Sequence, residues 1–425
     1  MTRNPRKSLA RATGAAALGL ATLGLVACVP PLPEVPPSPI EFVGHTVEAD
    51  LAGAAFVVAA QVTGDPAPEL VASSFGGGLA GPGLVTLHTR GSDLDDWSTT
   101  EIAGAAENIR FPNDPTVADL DADGDADVIV PGGFFLCEFT FSPCGSLQWF
   151  EQDGGEWIRH QVVADGNARF FHAARLADMD GDTITDIVTV SETSSSARVE
   201  WYRGTSGAER FESTPQVIGN GGGSLPVVHD VDGDVDDDIV SPQFFGGTGF
   251  VWFERTADPS PGAPAGIWET HVITTATAAG FAVEPVADLL GDGVDRWIAS
   301  NHTGDDSAGV FILDQPTDPT GQWTPSRISQ GIRIETPEPG SAAPGVIGHG
   351  DIDGDGDIDV AVSGDGDPRI FWLRQEDDDT FSTFVVDQDM GQAGGALVVD
   401  LDGDGANELV FSSYERDTIE VYSRP

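Results

Sequence analysis

An acidic string of nine residues recurs along the chain, and this repetition restricts the fold more than any other feature. It reads Asp119-Leu-Asp121-Ala-Asp123-Gly-Asp125-Ala-Asp127, then Val128-Ile129-Val130. It returns with Asp178, Asp180, Asp182 and Asp186, and with Asp230, Asp232, Asp234, Asp236 and Asp238. It returns again with Asp351, Asp353, Asp355, Asp357 and Asp359, and with Asp400, Asp402, Asp404 and Glu408. Two weaker copies hold Gln61, Thr63, Asp65 and Glu69, and Asp288, Leu290, Asp292 and Arg296. Gln61 and Asp400 lie 339 residues apart, which gives six intervals of about 56 residues. A unit this short does not bury a core alone, so neighbouring copies must stack.

A second pattern keeps the same register. Apolar β runs follow the acidic strings at Leu147-Gln-Trp149-Phe150, Val199-Glu-Trp201-Tyr202, Val251-Trp252-Phe253 and Ile370-Phe-Trp372-Leu373. A further run follows around Trp97, Trp157, Trp268 and Trp323. Each unit therefore reads as strand, acidic turn, strand, loop, strand, turn, strand. Seven such units predict an all-β protein, a seven-bladed β-propeller of four-stranded antiparallel blades. The last unit stops after Ile419-Glu-Val421-Tyr422, one strand short. Residues 40–47 resemble the outer strands around His160 and His271, so the N-terminal strand is expected to close the ring and remove its open edges.

Alternating carboxylates at positions 1, 3, 5 and 9 repel one another unless a cation sits among them. An all-oxygen set of this kind suits Ca²⁺ better than Zn²⁺ or Cu²⁺. Position 12, where an EF-hand needs Glu, is Val130, Thr189, Ser241, Val362 or Phe411. The expectation is a Ca²⁺ loop at a β-turn in each of the five full copies. Position 7 (Asp125, Ile184, Asp236, Asp357, Ala406) would offer its backbone carbonyl. Arg296 places a cation where the Asp288 copy needs its closing carboxylate, and the Gln61 copy is depleted in acids. These residues resemble the FG-GAP, or VCBS, repeat family over about nine tenths of the chain. The resemblance implies a propeller like the integrin head, with Ca²⁺ between the first and second strands of a blade. It also implies a range of roles, from surface adhesion and lectin-like binding to polysaccharide lyase activity.

The first 27 residues read as an address. Arg3, Arg6, Lys7 and Arg11 precede an apolar stretch, Ala15 to Ala27, too short to span a bilayer as a mature helix. Leu25-Val26-Ala27-Cys28 resembles a bacterial lipobox, which implies lipidation at Cys28 and an envelope location, facing outside or the periplasm. A plain secretory signal and an uncleaved anchor are the other readings. Residues 28–39 are Pro-rich and read as an extended tether, which leaves 40–425 for the propeller. The 69 acidic against 20 basic side chains give a net charge of -49, which argues against nucleic acid or anionic lipid as a direct ligand. Membrane contact is then expected through the lipid alone, and the chain as a monomer. In an oxidising compartment Cys137 and Cys144 are expected to pair, with two separate buried thiols as the alternative.

Strand order puts the acidic turns on one face of the disc. The loops between second and third strands, and those entering first strands, lie on the other. These loops carry Arg110, Phe134, Phe135, His172, Phe244, Phe245, His302 and Tyr414, together with Asn113, Phe170 and Asn301. Aromatic and polar groups at a propeller mouth suit a glycan or protein ligand; packing of the Phe pairs between blades is the plainer reading. The chain holds no G-x-S-x-G, H-E-x-x-H or phosphate loop. The functions these features frame are a membrane-tethered binding propeller and, second, a carbohydrate-active enzyme such as a polysaccharide lyase.

Overall fold

β-branched and aromatic runs after each acidic turn form strands, as their pleated, half-buried fit requires. The computed structural model describes residues 32–425 apart from 33, 65–66, 78–80, 141, 245–246, 335–341 and 378, and leaves aside the side chains of 139 and 140. The leader, Cys28, Asp65 and Phe245 therefore lie outside the described residues. Seven four-stranded antiparallel sheets follow one another along the chain. Blade 1 spans 54–103, blade 2 116–167, blade 3 170–220, blade 4 227–274, blade 5 280–327 and blade 6 347–387. In blades 1 to 6 the strands lie in chain order, and every pairing is antiparallel.

Blade 7 holds Ala393–Val399, Glu408–Ser413 and Thr418–Ser423. Its fourth strand is Val43–Glu48, which pairs His45 with Val421. The expected closure of the ring by the N-terminal strand is thus observed. One boundary differs from expectation. The amide of Val385 donates to the Pro36 carbonyl at 2.9 Å and that of Ser38 to the Val385 carbonyl at 2.8 Å. Val35 also packs on the core between blades 5 and 6. The segment read as free tether up to residue 39 is therefore docked on blade 6 from about Val35, because an extended chain can satisfy a strand edge and bury its apolar residues there.

Among the described residues, apolar clusters lie at the seams between adjacent blades and hold the ring together. Between blades 3 and 4, for example, Val188, Val190 and Trp201 meet Ile239, Val251 and Phe253. Between blades 6 and 7, Trp372 meets Leu409, Phe411 and Tyr422. Trp201, Trp252 and Trp372 are almost fully buried at these seams. The tryptophan register in the sequence is therefore a packing register: a large ring at a fixed repeat position fills the wedge that widens between radiating sheets.

Candidate functional site

The fold presents two sites, a ring of acidic loops on one face and an aromatic mouth on the other. In each full acidic copy the turn between first and second strands folds around its own carboxylates. In blade 3 the amides of Gly181 and Thr183 donate to the Asp178 carboxylate, each at 2.8 Å, and that of Ile184 to Asp182 at 2.9 Å. Blade 6 repeats this: Gly354 and Gly356 donate to Asp351, and Asp357 to Asp355. Positions 4 and 6 take positive φ throughout, which glycine tolerates, yet Ala122, Thr183 and Val235 take it too. Val235 is β-branched and 90% exposed, so the loop imposes this geometry against residue preference.

Position 9 is buried in every full copy. The Asp186 carboxylate accepts from Met179 N at 2.7 Å and Gly204 N at 2.6 Å, and Asp359 accepts from Ile352 N and Gln375 N. Burial, with the neighbouring carboxylates, pushes Asp127 up to about 6 and Asp186, Asp238, Asp359 and Glu408 up to about 7. Single oxygens of Asp119, Asp121 and Asp127 lie within 4.8 Å of one another, as do those of Asp178, Asp180 and Asp186. Asp230, Asp232 and Asp234, and Asp351, Asp353 and Asp355, form two more such groups. The buried Oδ1 of Asp180 has no hydrogen-bond partner. Hard oxygens converging on one point in this way are a donor set that fits Ca²⁺.

In the two weak copies other protein groups meet the carboxylates. In blade 5, Arg296 forks onto both oxygens of Asp292 at 2.7 Å, and this bond holds the Asp292 carboxyl down at about 2. In blade 1 the buried Glu69 carboxylate accepts from Val62 N, Thr63 N and the Thr63 hydroxyl.

Five of the seven loops, those of blades 2, 3, 4, 5 and 7, are also clamped by the next blade. Met179 carbonyl, at position 2, accepts from Arg255 at 3.0 Å, Val231 from Gln315 at 2.8 Å, and Leu401 from Arg90 at 3.2 Å. Leu120 accepts from Arg210, and Leu289 from the Gln375 amide oriented to donate. Arg90, Arg255, Gln315 and Gln375 share one register at the end of the third strand. A polar residue recurring at that repeat position was the signal for this clamp, and the reading from sequence missed it.

On the opposite face a cavity of about 130 Å³ is lined from all seven blades. Of the residues expected at the mouth, Phe134, Phe135, His172, Phe244, His302 and Tyr414 line it. Arg110 is not among the lining residues; it sits on the loop entering blade 2, as expected, where its carbonyl accepts from Gly133 N at 2.8 Å. Phe56, Phe75, Phe281, Ser224, Asp365 and Gln392 also line the cavity and were not anticipated. Phe75 packs against Phe134 and Tyr414, each at 5.9 Å between ring centroids. Phe281 stacks on His302 at 4.5 Å. Phe134 and Phe135 thus pack with each other, 4.5 Å between ring centroids, and line the cavity at once.

Polar groups punctuate this aromatic wall. Asn113 spends both amide hydrogens on the Gly133 and Phe171 carbonyls, which leaves its fully buried Oδ1 without a partner. The hydroxyl of Ser224 is likewise buried and unpartnered. His302 Nδ1 donates to the Pro344 carbonyl at 2.8 Å and its Nε2 lies 3.2 Å from Asp365. Burial pushes the Asp365 carboxyl up, while His302 and Gln392, the latter at 2.7 Å, draw it back. His172 bonds Glu192 on the other side.

Cys137 and Cys144 form the expected disulfide, with Cα atoms 5.8 Å apart. It sits beside a second, more open groove of about 360 Å³ that shares Phe134 with the axial cavity. Glu138 inside the loop accepts from Ser194 N and Oγ at 2.6 Å, tying the staple to blade 3. Loop closure of this short ring contributes roughly 2–3 kcal/mol. The double variant Cys137→Ser, Cys144→Ser should lower the melting temperature by only a few degrees while freeing Phe134 and Phe135. An unchanged melt with Phe134 and Phe135 no less ordered would show that the staple does not hold these rings.

Fold and loops together define the class. The FG-GAP-like repeat profile matches residues 178–241 and 351–411. Both matches start on the first Asp of a loop and end on the second strand of the following blade, so the sequence unit runs from loop to loop. The chain is a seven-bladed β-propeller carrying FG-GAP-like repeats. Among solved structures it is similar to the rhamnogalacturonan lyase YesW, with 16% identity, 91% of this chain and 76% of that chain covered, and a TM-score of 0.47. A Bacillus licheniformis rhamnogalacturonan lyase gives 14% identity, the same coverages and a TM-score of 0.45. No curated protein matches this chain.

Proposed function

We propose that this chain is an exported, Ca²⁺-stabilised propeller, tethered to the envelope by lipid on Cys28, whose axial mouth binds an extracellular glycan. The observation that carries the reading is the seven-blade cavity with aromatic walls and two orphaned polar atoms, Asn113 Oδ1 and Ser224 Oγ. An engineered cavity of about 150 Å³ holds a benzene-sized molecule, so one sugar ring is the right scale for this one. Aromatic faces take the apolar side of such a ring, and unpaired buried polar atoms take its hydroxyls. A protein ligand could also insert a side chain here, but a lone aromatic residue would leave both polar atoms unsatisfied.

The two imidazole–carboxylate pairs favour a second reading. An imidazole beside a carboxylate in an apolar mouth, as with His302 and Asp365, is the equipment of a general acid or base. A polysaccharide lyase would use it to abstract or return a proton at a uronate ring.

Screening the mature protein on a glycan array, with product analysis in parallel, tests both. Retention of a glycan without product, weakened at least about tenfold in Tyr414→Ala and Ser224→Ala, supports binding. An absorbance rise from unsaturated uronate would replace the first reading by the second. No retention and no product would refute both. For the tether, Cys28→Ser is expected to release the mature protein from the membrane fraction or leave the precursor uncleaved. Unaltered processing and association would refute lipidation.

A further inference from the structure

The acidic loops are not equivalent in what faces them. One position in the repeat, the residue after the inward aromatic or leucine at the end of the third strand, lies against the loop. It is Glu151 in blade 2, Arg203 in blade 3, Glu254 in blade 4, Arg374 in blade 6 and Ser423 in blade 7. Arg203 reaches Asp180 at 2.6 Å and Asp182 at 3.1 Å, the carboxylates at positions 3 and 5 of its loop. Arg374 makes the same pair of contacts, to Asp353 at 2.7 Å and Asp355 at 3.1 Å. In blades 2 and 4 the same register adds a carboxylate instead. Glu151 bonds His160 and Glu254 bonds His271, each at 2.6 Å, on the fourth strand. In blade 4, Arg255 lies one residue on; it approaches Asp236 at position 7, at 3.3 Å, and not positions 3 and 5.

We propose that four of the five loops fall into two classes toward Ca²⁺, the arginine-backed loops of blades 3 and 6 binding the ion more weakly than the glutamate-backed loops of blades 2 and 4, with the Ser423-backed loop of blade 7 between them. The inference rests on the Ca²⁺ reading of the loops and divides it. Affinity of an oxygen site follows its ligand charge and rigidity. A guanidinium bonded to two of the ligands cancels part of the field that draws the ion in, and must be displaced or repelled as the ion enters. It also holds the loop in shape without metal, as Arg296 does outright in blade 5. A glutamate in the same place deepens the negative field. The result is a ring whose loops depend on metal to different degrees and load in steps as Ca²⁺ rises.

Titration of the chelator-stripped protein with CaCl₂ by calorimetry tests this with the metal alone. Two affinity classes are expected, the weaker losing one site in each of Arg203→Met and Arg374→Met as that loop tightens about tenfold or more. Both side chains are substantially exposed, 44% and 32%, and a melt in chelator checks that each variant folds. Arg203→Lys, which keeps the charge without the fork, should stay in the weak class. Glu254→Gln should weaken its own loop. A single class of sites, or arginine variants whose affinities are unchanged or lowered, would overturn the partition while leaving Ca²⁺ binding in place. No heat and no bound Ca²⁺ at millimolar ion would overturn the Ca²⁺ reading itself.

Discussion

Chelation should lower the melting temperature of this protein by on the order of 10 °C or more. With free ion a hundredfold above Kd, one site contributes about 2.7 kcal/mol to the folded state. Five loops acting together make a large sum even if two bind weakly. The structure gives the loss a route beyond the loops. Asp186 holds Met179 by its amide, while Arg255 of blade 4 holds Met179 by its carbonyl. A loop that opens under its own repulsion therefore loosens the clamp to the next blade. Differential scanning calorimetry in EGTA, then in excess Ca²⁺, measures the effect. Mg²⁺ should restore little of it, since a small ion demanding octahedral geometry fits flexible carboxylate loops poorly. An identical melt in both media would refute structural Ca²⁺.

The second large effect is a reversal of pH dependence. In chelator the protein should be more stable at pH 5 than at pH 8; in saturating Ca²⁺ it should be less stable at pH 5. The buried position 9 carboxyls, at about 6 for Asp127 and about 7 for Asp186, Asp238, Asp359 and Glu408, stand above their values of about 4 in an unfolded chain. A raised carboxyl binds its proton more tightly when folded. The stability this confers is fully present below about pH 4 and is lost as pH climbs toward 7. Self-repulsion of a chain carrying -49 adds in the same direction. With Ca²⁺ present, protons compete with the ion for the same ligands, so acidification costs bound metal. Melting curves at both pH values in both media decide it, and slopes of the same sign would contradict the account.

The blades were legible in the sequence because their signals repeat. Acidic turns, tryptophans and β runs at about 56-residue spacing fix strand order, and strand order fixes which loops share a face. That is why Phe134, His172, Phe244, His302 and Tyr414, more than 200 residues apart at the extremes, could be expected at one mouth. What stayed hidden has no repeat signal or depends on distances. Phe75 and Phe281 look like ordinary strand aromatics until their sheets converge on the axis. Asp365 takes positive φ in a turn and meets His302 across a blade boundary. Arg110 lies on the expected loop but is not among the residues lining the cavity. The arginines that fork onto acidic loops were visible as residues, but only pairing register shows that Arg203 and Glu151 stand at the same place.

The central claim, that five acidic loops are ion sites on which the ring depends, is tested most directly by counting ions. Protein equilibrated with millimolar Ca²⁺ and freed of loose ion should carry about five Ca²⁺ per chain by elemental analysis. Asp123→Ala and Asp353→Ala should each carry one fewer, and Asp292→Ala the same number as the parent. One ion or none in the parent, or a loss on Asp292→Ala equal to that on Asp123→Ala, would contradict it.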